Sequence, residues 1–394
     1  MRVLVVLPFA PWPVRVRSAN LWPRIAREVE VHVVYLHADL PRGEAPLALD
    51  NVASMQGVAS SRWRALGRIV TALPTEDCLR AAWHRDEPAR FAVEEAYARI
   101  RPDVVYVERL RAIPLVERLA LDRVVLDPTD SLPLFCESVA SQPGAPPLHR
   151  IVGLIERQRL IALERDIYPR AGAVVACSAR DADAMRQSAP DARIEIVPNG
   201  VDLQRFSFAA PFRNGRPRVL MSGNFAYWPN SEAARWLLTG ARALGNRWHG
   251  DLVFAGANPP PYLRRAHRRG EASVPGYVRD MAEHYHHASV VAAPVRFAVG
   301  TQNKVLEAMA CGRPVVTTPQ CAWGLEPCGR HIVIEARRDE FLDALGAMIE
   351  DGSQQRLLGE AGRAYVERCH DWESIAPQML ELLARVAQQQ RSMS

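Results

Sequence analysis

A single lysine stands at a position where a cation is unfavourable. In the segment GTQNKVLEAMACGRPVV, residues 300–316, Gly300 and Thr301 precede a predicted helix and Lys304 falls in its first turn. It is the only lysine among the 49 lysines and arginines of the chain. Because a helix N-terminus carries partial positive charge, a cation there requires an anion beside it. The segment therefore predicts a site for an anion such as a diphosphate, bound by free backbone N–H groups.

Two further charged residues flank this lysine. Arg296 precedes the helix and would neutralise a diphosphate together with Lys304, while Glu307 follows one turn later in an apolar run. The Glu307 carboxylate could accept two hydrogen bonds from a vicinal diol such as ribose, and leaving it buried and unpaired would be costly. The alternative is a surface ion pair between Lys304 and Glu307 at i,i+3 spacing. The uniqueness of the lysine favours the binding site, since a pocket of fixed depth can select a compact ammonium over a guanidinium.

Short runs rich in Val and Ile alternate with helical patterns along the whole chain. Near-continuous apolar strands between helices are typical of parallel sheets covered on both faces. The runs form two successive sets of six, which predicts an α/β protein with two doubly wound, Rossmann-type domains facing each other across a cleft. The runs are 2–8, 29–36, 103–108, 123–127, 173–178, 193–200, 218–224, 251–256, 272–278, 289–295, 313–318 and 331–335.

The non-periodic stretch 198–218 separates the two sets and predicts a linker. We expect an N-terminal domain over 1–205, a C-terminal domain over 206–371 and a last helix over 372–394. That helix carries one apolar stripe, which predicts that it packs on the N-terminal domain. The stripe consists of Ile375, Met379, Leu382, Leu383 and Val386.

Charged residues follow several strands of the first half. Ligands of open parallel sheets bind at the carboxyl ends of strands, so these residues are candidates for binding an acceptor. The alternative is that they cap helices or pair with one another, as Glu108 and Arg109 could. The candidates are Arg17, Glu108, Arg109, Asp127 and Asp130.

Two patterns have the appearance of metal sites. Asp181 and Asp183 form a D-x-D sequence at a helix start, and Asp280, His284 and His287 share one helical face. We interpret the first as helix capping and the second as a surface helix, so no metal is expected.

Composition excludes several classes of protein. The net charge of +5 comes from scattered arginines, and the densest basic run, 262–270, is too short to predict nucleic-acid binding. No apolar run approaches the ~20 residues of a membrane span. The seven cysteines are odd in number and form no CxxC pair, which predicts reduced thiols in a cytoplasmic protein.

Three segments together resemble one enzyme family. They are GTQNKVLEAMACGRPVVTTPQCAWGL from Gly300, VVACSARDADAMR with IEIVPNGVDLQRF, and VLMSGNFAYWPNSEAARWL. The chain resembles the retaining, GT-B-fold glycosyltransferases of family 4. It is most similar to sugar transferases associated with exopolysaccharide and PEP-CTERM loci, which share GTQNKVLEAMA and the Arg15-Val16-Arg17-Ser18 pattern.

The resemblance implies roles for several residues. Glu307 corresponds to the second Glu of the family's E-x7-E element, which holds the nucleotide ribose. Gly223 and Asn224 would face the phosphates, and Tyr277 and Val278 would lie near the base. The backbone groups implied to hold the diphosphate and the sugar are those of Gly300, Thr301, Gln302 and Asn303.

The sequence departs from the family pattern at three places, the first of which is the N-terminal loop PFAPWPVRVRS (8–18), which is not glycine-rich as in many relatives. Val299 stands where the first Glu of the element is expected. The Arg/Lys pair often found after the first strand of the C-terminal domain is absent, and NFAYWPN (224–230) stands there. These departures concern the donor sugar and the acceptor more than the type of reaction.

We therefore expect a hexosyl-transferring enzyme that uses a nucleotide-diphosphate sugar, needs no metal or other cofactor, and retains anomeric configuration by front-face attack. The acceptor would be a sugar, a lipid-linked molecule or another small molecule. Two alternatives stay open. One is another enzyme on this architecture, such as an epimerase, a phosphorylase or a pyridoxal phosphate enzyme using Lys304. The other is a non-catalytic protein that binds sugar nucleotides.

Overall fold

The computed structural model describes residues 1–11, 16–37, 48–141, 145–210, 215–245, 248–325, 332–335 and 337–391. The chain divides into two compact units. Unit 1 comprises Met1–Pro198 together with Trp372–Ser394, and unit 2 comprises Asn199–Asp371. Each unit has one parallel sheet and the helices that connect its strands, which confirms the predicted α/β class with two Rossmann-type domains.

Unit 1 contains a seven-stranded sheet in the order β3-β2-β1-β4-β5-β6-β7, with all pairs parallel. Its strands are β1 (Arg2–Leu7), β2 (Glu30–His37), β3 (Ser54–Ala59), β4 (Val104–Glu108), β5 (Val124–Thr129), β6 (Ala173–Ala176) and β7 (Ile194–Ile196). Its first helices are α1 (Val16–Ile25), α2 (Arg62–Ala72), α3 (Leu79–His84), α4 (Glu87–Ile100), α5 (Leu132–Ser141), α6 (Pro147–Ile167) and α7 (Ala179–Ser188).

Unit 2 contains a six-stranded parallel sheet in the order β10-β9-β8-β11-β12-β13. Its strands are β8 (Arg218–Ser222), β9 (Asp251–Ala255), β10 (Ser273–Gly276), β11 (Val290–Ala293), β12 (Val315–Thr317) and β13 (Val333–Ile334). Its helices are α8 (Trp228–Leu244), α9 (Pro261–Arg268), α10 (Met281–His286), α11 (Asn303–Ala310), α12 (Pro319–Ala322), α13 (Arg338–Glu350) and α14 (Gly352–Cys369).

The strand orders place a topological switch point in each sheet. The order reverses between β1 and β4 in unit 1, and between β8 and β11 in unit 2. Loops that leave neighbouring strands at such a point diverge to opposite faces of the sheet and leave room for a ligand between them. In unit 2 these are the loops after Ser222 and after Ala293.

The last helix, α15 (Trp372–Arg391), belongs to unit 1. Trp372, Ile375 and Met379 are fully buried in the same apolar cluster as Val3 and Trp22. The Arg24 guanidinium also donates to the Glu373 carboxylate at 2.9 Å. An apolar stripe with i, i+3, i+4 and i+7 spacing thus covers one face of the first sheet.

All twelve predicted strands are present, and one strand was missed. β3 (SMQGVA) has no fully buried residue and lies at the edge of its sheet, so it lacks the apolar run that reveals the others. The division between units falls after Pro198, seven residues before the predicted boundary. Of the seven cysteines, the six in the described ranges are free thiols, and Cys328 lies outside those ranges. None of the described helices combines the length and the apolar character needed to cross a bilayer.

Candidate active site

The first turns of two helices meet beside the switch point of unit 2. α8 and α11 follow the paired strands β8 and β11, and neither helix has an acidic residue in its first turn. Lys304, in the first turn of α11, donates a hydrogen bond of 2.6 Å from Nζ to Asn230 Oδ1, in the first turn of α8. Two positive helix ends and one ammonium group are therefore concentrated at one place, which is an arrangement that favours an anion.

The loop after β8 is shaped around Asn230. The Asn230 side-chain amide donates to the Asn224 carbonyl oxygen at 3.0 Å, and Asn230 is buried. Gly223 has φ +152°, and a Cβ there would lie 2.9 Å from the Asn230 amide nitrogen. Only glycine fits this approach, so the predicted phosphate-facing loop holds the partner of Lys304 in place.

Burial shapes the charge of Lys304. The side chain is largely withdrawn from solvent, and this desolvation lowers the pKa of its amine, with Cys321 and Glu307 opposing the shift. The hydrogen bond of the Lys304 ammonium goes to Asn230, and no ion pair between Lys304 and Glu307 is formed among the described residues. The hydrogen-bond partner of this amine is a neutral amide oxygen and not a carboxylate.

The loop before α11 leaves the start of that helix without a side-chain cap. Gln302 is the N-cap residue, but its amide donates to the Val299 carbonyl oxygen at 3.0 Å. Gly300 has φ +64°, and the Thr301 hydroxyl donates to the Gly324 carbonyl oxygen at 3.4 Å. Asn303 Oδ1 is buried and has no hydrogen-bond partner in the described structure. The predicted diphosphate loop thus keeps backbone and side-chain groups unsatisfied at the helix start.

Glu307 sits at the end of a buried hydroxyl chain. The Tyr285 hydroxyl donates to Glu307 Oε2 at 2.9 Å and lies 2.8 Å from the Ser222 hydroxyl. Burial raises the pKa of Glu307 to about 7, although the hydrogen bond from Tyr285 and the charges of Arg205 and Lys304 act in the opposite direction. A carboxyl group with this pKa changes its charge near neutral pH.

The sequence alone did not identify Tyr285 as a residue of this site. It lies on α10 between the two histidines that drew attention as metal ligands, and it is fully buried. A fully buried tyrosine in a histidine-rich, otherwise polar helix requires a partner for its hydroxyl, and this was the available signal.

Arg296 is paired with a carboxylate on α8. Its guanidinium forms an ion pair with Glu232 of α8, and both side chains are partly buried. The neighbouring Phe297 is fully buried against Trp228, with ring centroids 4.6 Å apart. The sequence predicts that Arg296 binds the diphosphate, but it does not reveal that the Glu232 carboxylate compensates the charge of Arg296. That role stays a prediction.

Tyr277 and Val278 follow β10, which is the edge strand of the second sheet and lies three positions from β11. The Tyr277 ring is 70% exposed. An exposed aromatic ring at a sheet edge is available for stacking, and its predicted place near a base stays a prediction.

In unit 1 the predicted acceptor residues adjoin one another at the paired strands β4 and β5, and the most buried contacts surround Asp127. Arg17 donates to Asp127 Oδ2 at 2.7 Å, and the Tyr106 hydroxyl donates to the same oxygen at 2.6 Å. The Arg17 guanidinium also donates to the backbone carbonyl oxygens of Val197 and Pro198. These contacts are buried and join α1, β5 and the end of unit 1, so they act primarily as internal support.

The remaining candidates continue these contacts at the carboxyl ends of β4 and β5, where the Arg109 N–H donates to the Asp127 carbonyl oxygen at 2.7 Å. Ser18 donates to the buried Glu108, and burial raises the pKa of that carboxyl group. Arg109 instead pairs with Asp130 at 3.3 Å, so Glu108 and Arg109 do not simply neutralise one another. Arg109 and the β-branched Thr129 have φ values of +73° and +72°. Such conformations are costly for residues with side chains and cluster at functional sites.

The two apparent metal patterns are helix starts. The Ser178 side chain accepts from the Asp181 N–H at the start of α7, and the Asp280 side chain accepts from the Ala282 N–H at the start of α10. No group of three or more His, Cys, Asp or Glu side chains suited to a metal occurs among the residues that the structure describes.

Family models match both parts of the chain. Residues 14–205 match the model described as Glycosyltransferase Family 4, and residues 216–351 match the one described as Glycosyl transferases group 1. Comparison with curated protein sequences finds no match.

Solved structures with the same fold span the chain at low sequence identity. Sucrose-phosphate synthase from Thermosynechococcus elongatus is 16% identical over 100% of both chains, with a TM-score of 0.73. HepE from Anabaena, solved in complex with UDP-glucose, is 14% identical over 97% of this chain and 99% of its own, with a TM-score of 0.68. WaaG, a glycosyltransferase involved in lipopolysaccharide biosynthesis, is 15% identical over 97% and 99%, with a TM-score of 0.66.

The fold and the two matched domains define a glycosyltransferase of the GT-B fold. The family 4 domain lies mainly in unit 1, and the group 1 domain lies within unit 2, around the site formed by Lys304 and Asn230.

Proposed function

We propose that the protein transfers a hexosyl group from a nucleotide-diphosphate donor to an acceptor hydroxyl, with retention of configuration and without a metal. The observation that carries this proposal is the contact between Lys304 and Asn230, which joins two helix N-termini beside the switch point of unit 2. The matched group 1 domain and the solved complexes of HepE with UDP and UDP-glucose support a nucleotide donor.

The chemical requirement of the reaction is stabilisation of the leaving diphosphate. Negative charge accumulates on this group as the anomeric carbon becomes oxocarbenium-like, and preorganised donors directed at it are the largest available contribution to rate. The Lys304 ammonium and the first-turn N–H groups of α11 would supply that stabilisation. In front-face attack the leaving phosphate oxygen accepts the proton of the acceptor hydroxyl, so no dedicated protein base is required.

Glu307 would hold the ribose diol of the donor. Its carboxylate accepts one hydrogen bond from Tyr285 and retains lone pairs for a ligand. A diol that donates to the charged form would favour ionisation of Glu307, so donor binding and deprotonation of this group would be coupled.

The contacts of Arg296 and of the predicted acceptor residues differ in how far they leave each side chain available to a substrate. The charge of Arg296 is partly compensated by Glu232, two residues after Asn230 on α8. Among the acceptor candidates, Arg17 and Glu108 are buried in internal contacts, whereas the side chains of Arg109 and Asp130 are 25% and 24% exposed. We therefore assign Arg109 and Asp130 as the acceptor-side residues with which a substrate would make contact.

The wider assignment rests on sequence motifs. GTQNKVLEAMA supports a place among transferases of exopolysaccharide or glycoconjugate synthesis, and the free thiols support a reducing, cytoplasmic compartment. Val299 in place of a carboxylate implies that donor sugar hydroxyls are bound by other groups.

A panel of nucleotide sugars tests the proposal. A donor present at about 100 times its dissociation constant should stabilise the chain by about 2.7 kcal/mol in thermal unfolding. Release of nucleoside diphosphate in the presence of acceptor then measures transfer, and NMR of the product gives the anomeric configuration. Donor binding without transfer or hydrolysis would instead indicate a non-catalytic binding protein, and an isomerised sugar would indicate an epimerase.

A further inference from the structure

Two neighbouring helices of unit 1 expose their large apolar side chains. On α2 and its C-cap these are Trp63, Leu66, Val70 and Leu73, and on α6 they are Leu148, Ile151, Val152, Leu154 and Ile155. These nine residues, here called the α2–α6 surface, account for nine of the fifteen large hydrophobic side chains that are exposed in the described structure. A concentration of this kind marks an interaction site on an otherwise ordinary protein surface.

α2 has the reverse of the usual amphipathic arrangement, and α6 buries two carboxylates beside Leu160 and Ile167 while its first half exposes an apolar stripe. α2 buries only Ala65 and Ala72, while Trp63 is 83% exposed. α6 buries Glu156 and Glu164 on its inner face. Because a helix of a globular protein normally turns its apolar stripe inward, this reversal indicates that the outer faces were selected for contact with another apolar medium.

The two stripes form a continuous surface around one cavity. Arg159, in the middle of α6, donates to the Leu73 carbonyl oxygen at 2.9 Å, which links α6 to the C-terminal end of α2. A cavity of about 490 Å³ opens between Ile69 of α2 and Val152 of α6. Arg80 and Arg111 line it, together with the buried Glu156, which is ion-paired with Arg159. The cavity therefore combines apolar walls at its rim with cationic groups.

Charge decides which partner fits this surface. Residues 62–73 and 147–155 contain four arginines and no aspartate or glutamate, and one of these arginines, Arg68, forms an ion pair with the buried carboxylate of Asp86. Contact between two copies of the chain through this surface would place arginines against arginines, which is unfavourable. An anionic bilayer offers the complementary charge as well as an apolar interior, and arginine side chains at its boundary can extend their charged ends to the head groups. Trp63 also belongs to the residue type that is enriched at the membrane–water boundary.

We propose that the α2–α6 surface binds to an anionic lipid bilayer, with the apolar stripes at the level of the head groups and the arginines among the phosphates. This binding does not depend on the catalytic proposal, because it involves none of the residues around Lys304. It would bring the chain close to a lipid-linked acceptor, which is one of the acceptor classes expected from the sequence.

Sedimentation of the full-length protein with lipid vesicles tests the proposal. One set of vesicles is pure phosphatidylcholine, and the other contains one third phosphatidylglycerol. We expect binding to the anionic vesicles, at least a fivefold lower bound fraction on neutral ones, and partial release by high salt. A Trp63→Ser/Ile151→Ser variant and an Arg64→Glu variant should each reduce the bound fraction at least fivefold.

Matched variants on α14 of unit 2 serve as controls. Leu357→Ser and Arg356→Glu change exposed residues of the same types, and both should bind like the unaltered protein. Circular dichroism and light scattering establish that every variant is folded and measure its oligomeric state. Absence of binding to anionic vesicles, or equal binding to neutral ones, would overturn the proposal. So would a dimer that dissociates when Trp63 and Ile151 are replaced and that does not bind vesicles.

Discussion

Lys304 Nζ and Asn230 Oδ1 lie 2.6 Å apart and link the first turns of α11 and α8 across neighbouring strands. By the family resemblance, the segment 224–230 is the place where an Arg/Lys pair is often found. Segment 224–230 has no lysine of its own, and the Lys304 ammonium of α11 contacts it through Asn230. In our proposal one lysine serves the site for which, by the resemblance, an Arg/Lys pair is often found.

Replacement of this lysine should abolish most of the activity. Lys304→Ala removes the only ammonium directed at the proposed diphosphate, so we expect kcat/KM to fall by about 10²–10³, as for loss of one preorganised donor to a developing charge. Lys304→Arg should also be impaired, because the planar guanidinium cannot occupy the space of an ammonium held by Asn230. Nucleotide release gives the rates, and thermal unfolding verifies that both variants are folded. Near-normal turnover in both would remove the phosphate role.

Exchanging the two bonded residues provides a stricter test. In the Asn230→Lys/Lys304→Asn double variant, the ammonium would return to the helix start where relatives often carry it, with an amide as its partner. We expect this variant to recover at least tenfold in kcat/KM over Lys304→Asn alone. If the double variant is as inactive as Lys304→Asn, activity requires the amine on α11, and an amine on α8 cannot replace it.

The strands could be predicted from sequence because each is a local pattern. Runs such as RVLVVLP and DVVYVE are apolar at nearly every position, which only a strand buried on both faces requires. Side-chain pairings could not be predicted in this way. Glu232 neutralises Arg296 from 64 positions away, and Tyr285 reaches Glu307 across 22 positions. Such contacts depend on which strands become neighbours, and a single sequence does not encode that locally.

The apolar stripe of α6 shows a different limit of the sequence. Periodicity gives the spacing of Leu148, Ile151 and Ile155 but not the direction in which they point. A reader of the sequence would assign that stripe to the core and the carboxylates to solvent, yet Glu156 and Glu164 are buried. Hydrogen-bond partners make this burial possible, because Glu156 accepts from the Leu79 N–H and Glu164 accepts from the Tyr168 hydroxyl.

Glu307 should make stability and donor binding depend on pH in opposite directions. Its pKa is about 7 in the folded chain, above the ordinary value of 4.5. The neutral form therefore stabilises the fold fully below pH 4.5, and this contribution is lost as pH rises through 7. Glu307→Gln keeps an acceptor for Tyr285 and cannot ionise, so at pH 8 we expect it to unfold at a higher temperature than the unaltered protein. The difference should be on the order of 1 kcal/mol or more and should shrink at pH 5.

The same variant should bind the donor less well. Calorimetric titration at pH 8 should give a dissociation constant at least tenfold weaker for Glu307→Gln, because a charged acceptor for the ribose diol is replaced by a neutral one. For the unaltered protein, affinity should rise with pH through 7. Donor affinity that is independent of pH and unchanged in Glu307→Gln would contradict the assigned role.

Transfer should continue in the presence of excess chelator. The proposed stabilisation of the diphosphate comes from Lys304 and from helix N–H groups, and no cluster of metal ligands occurs in the described ranges. We expect rates with EDTA within about twofold of those with added Mg²⁺. A strict requirement for Mg²⁺ or Mn²⁺, restored on re-addition, would mean that the charge is neutralised differently.

Removal of the last helix should destabilise unit 1 itself. The sequence alone suggests that a chain ending at residue 371 would lose activity with both sheets intact. However, Trp372, Ile375 and Met379 are fully buried in the core of the first sheet, and truncation would expose the residues that they cover. Since removing one large buried side chain costs about 2–5 kcal/mol, loss of the whole helix should unfold unit 1. Proteolysis should then leave a resistant fragment that corresponds to unit 2.

Point variants on α15 separate this effect from general damage to the chain. Met379→Ala should lower the stability of unit 1 by about 2–5 kcal/mol, whereas Glu381→Ala, on the exposed face of the same helix, should change it by less than about 0.5 kcal/mol. Denaturant unfolding with a probe in each unit distinguishes the two. If Met379→Ala leaves the unfolding of unit 1 unchanged, the helix is not part of its core, and the truncated chain should retain a folded first sheet.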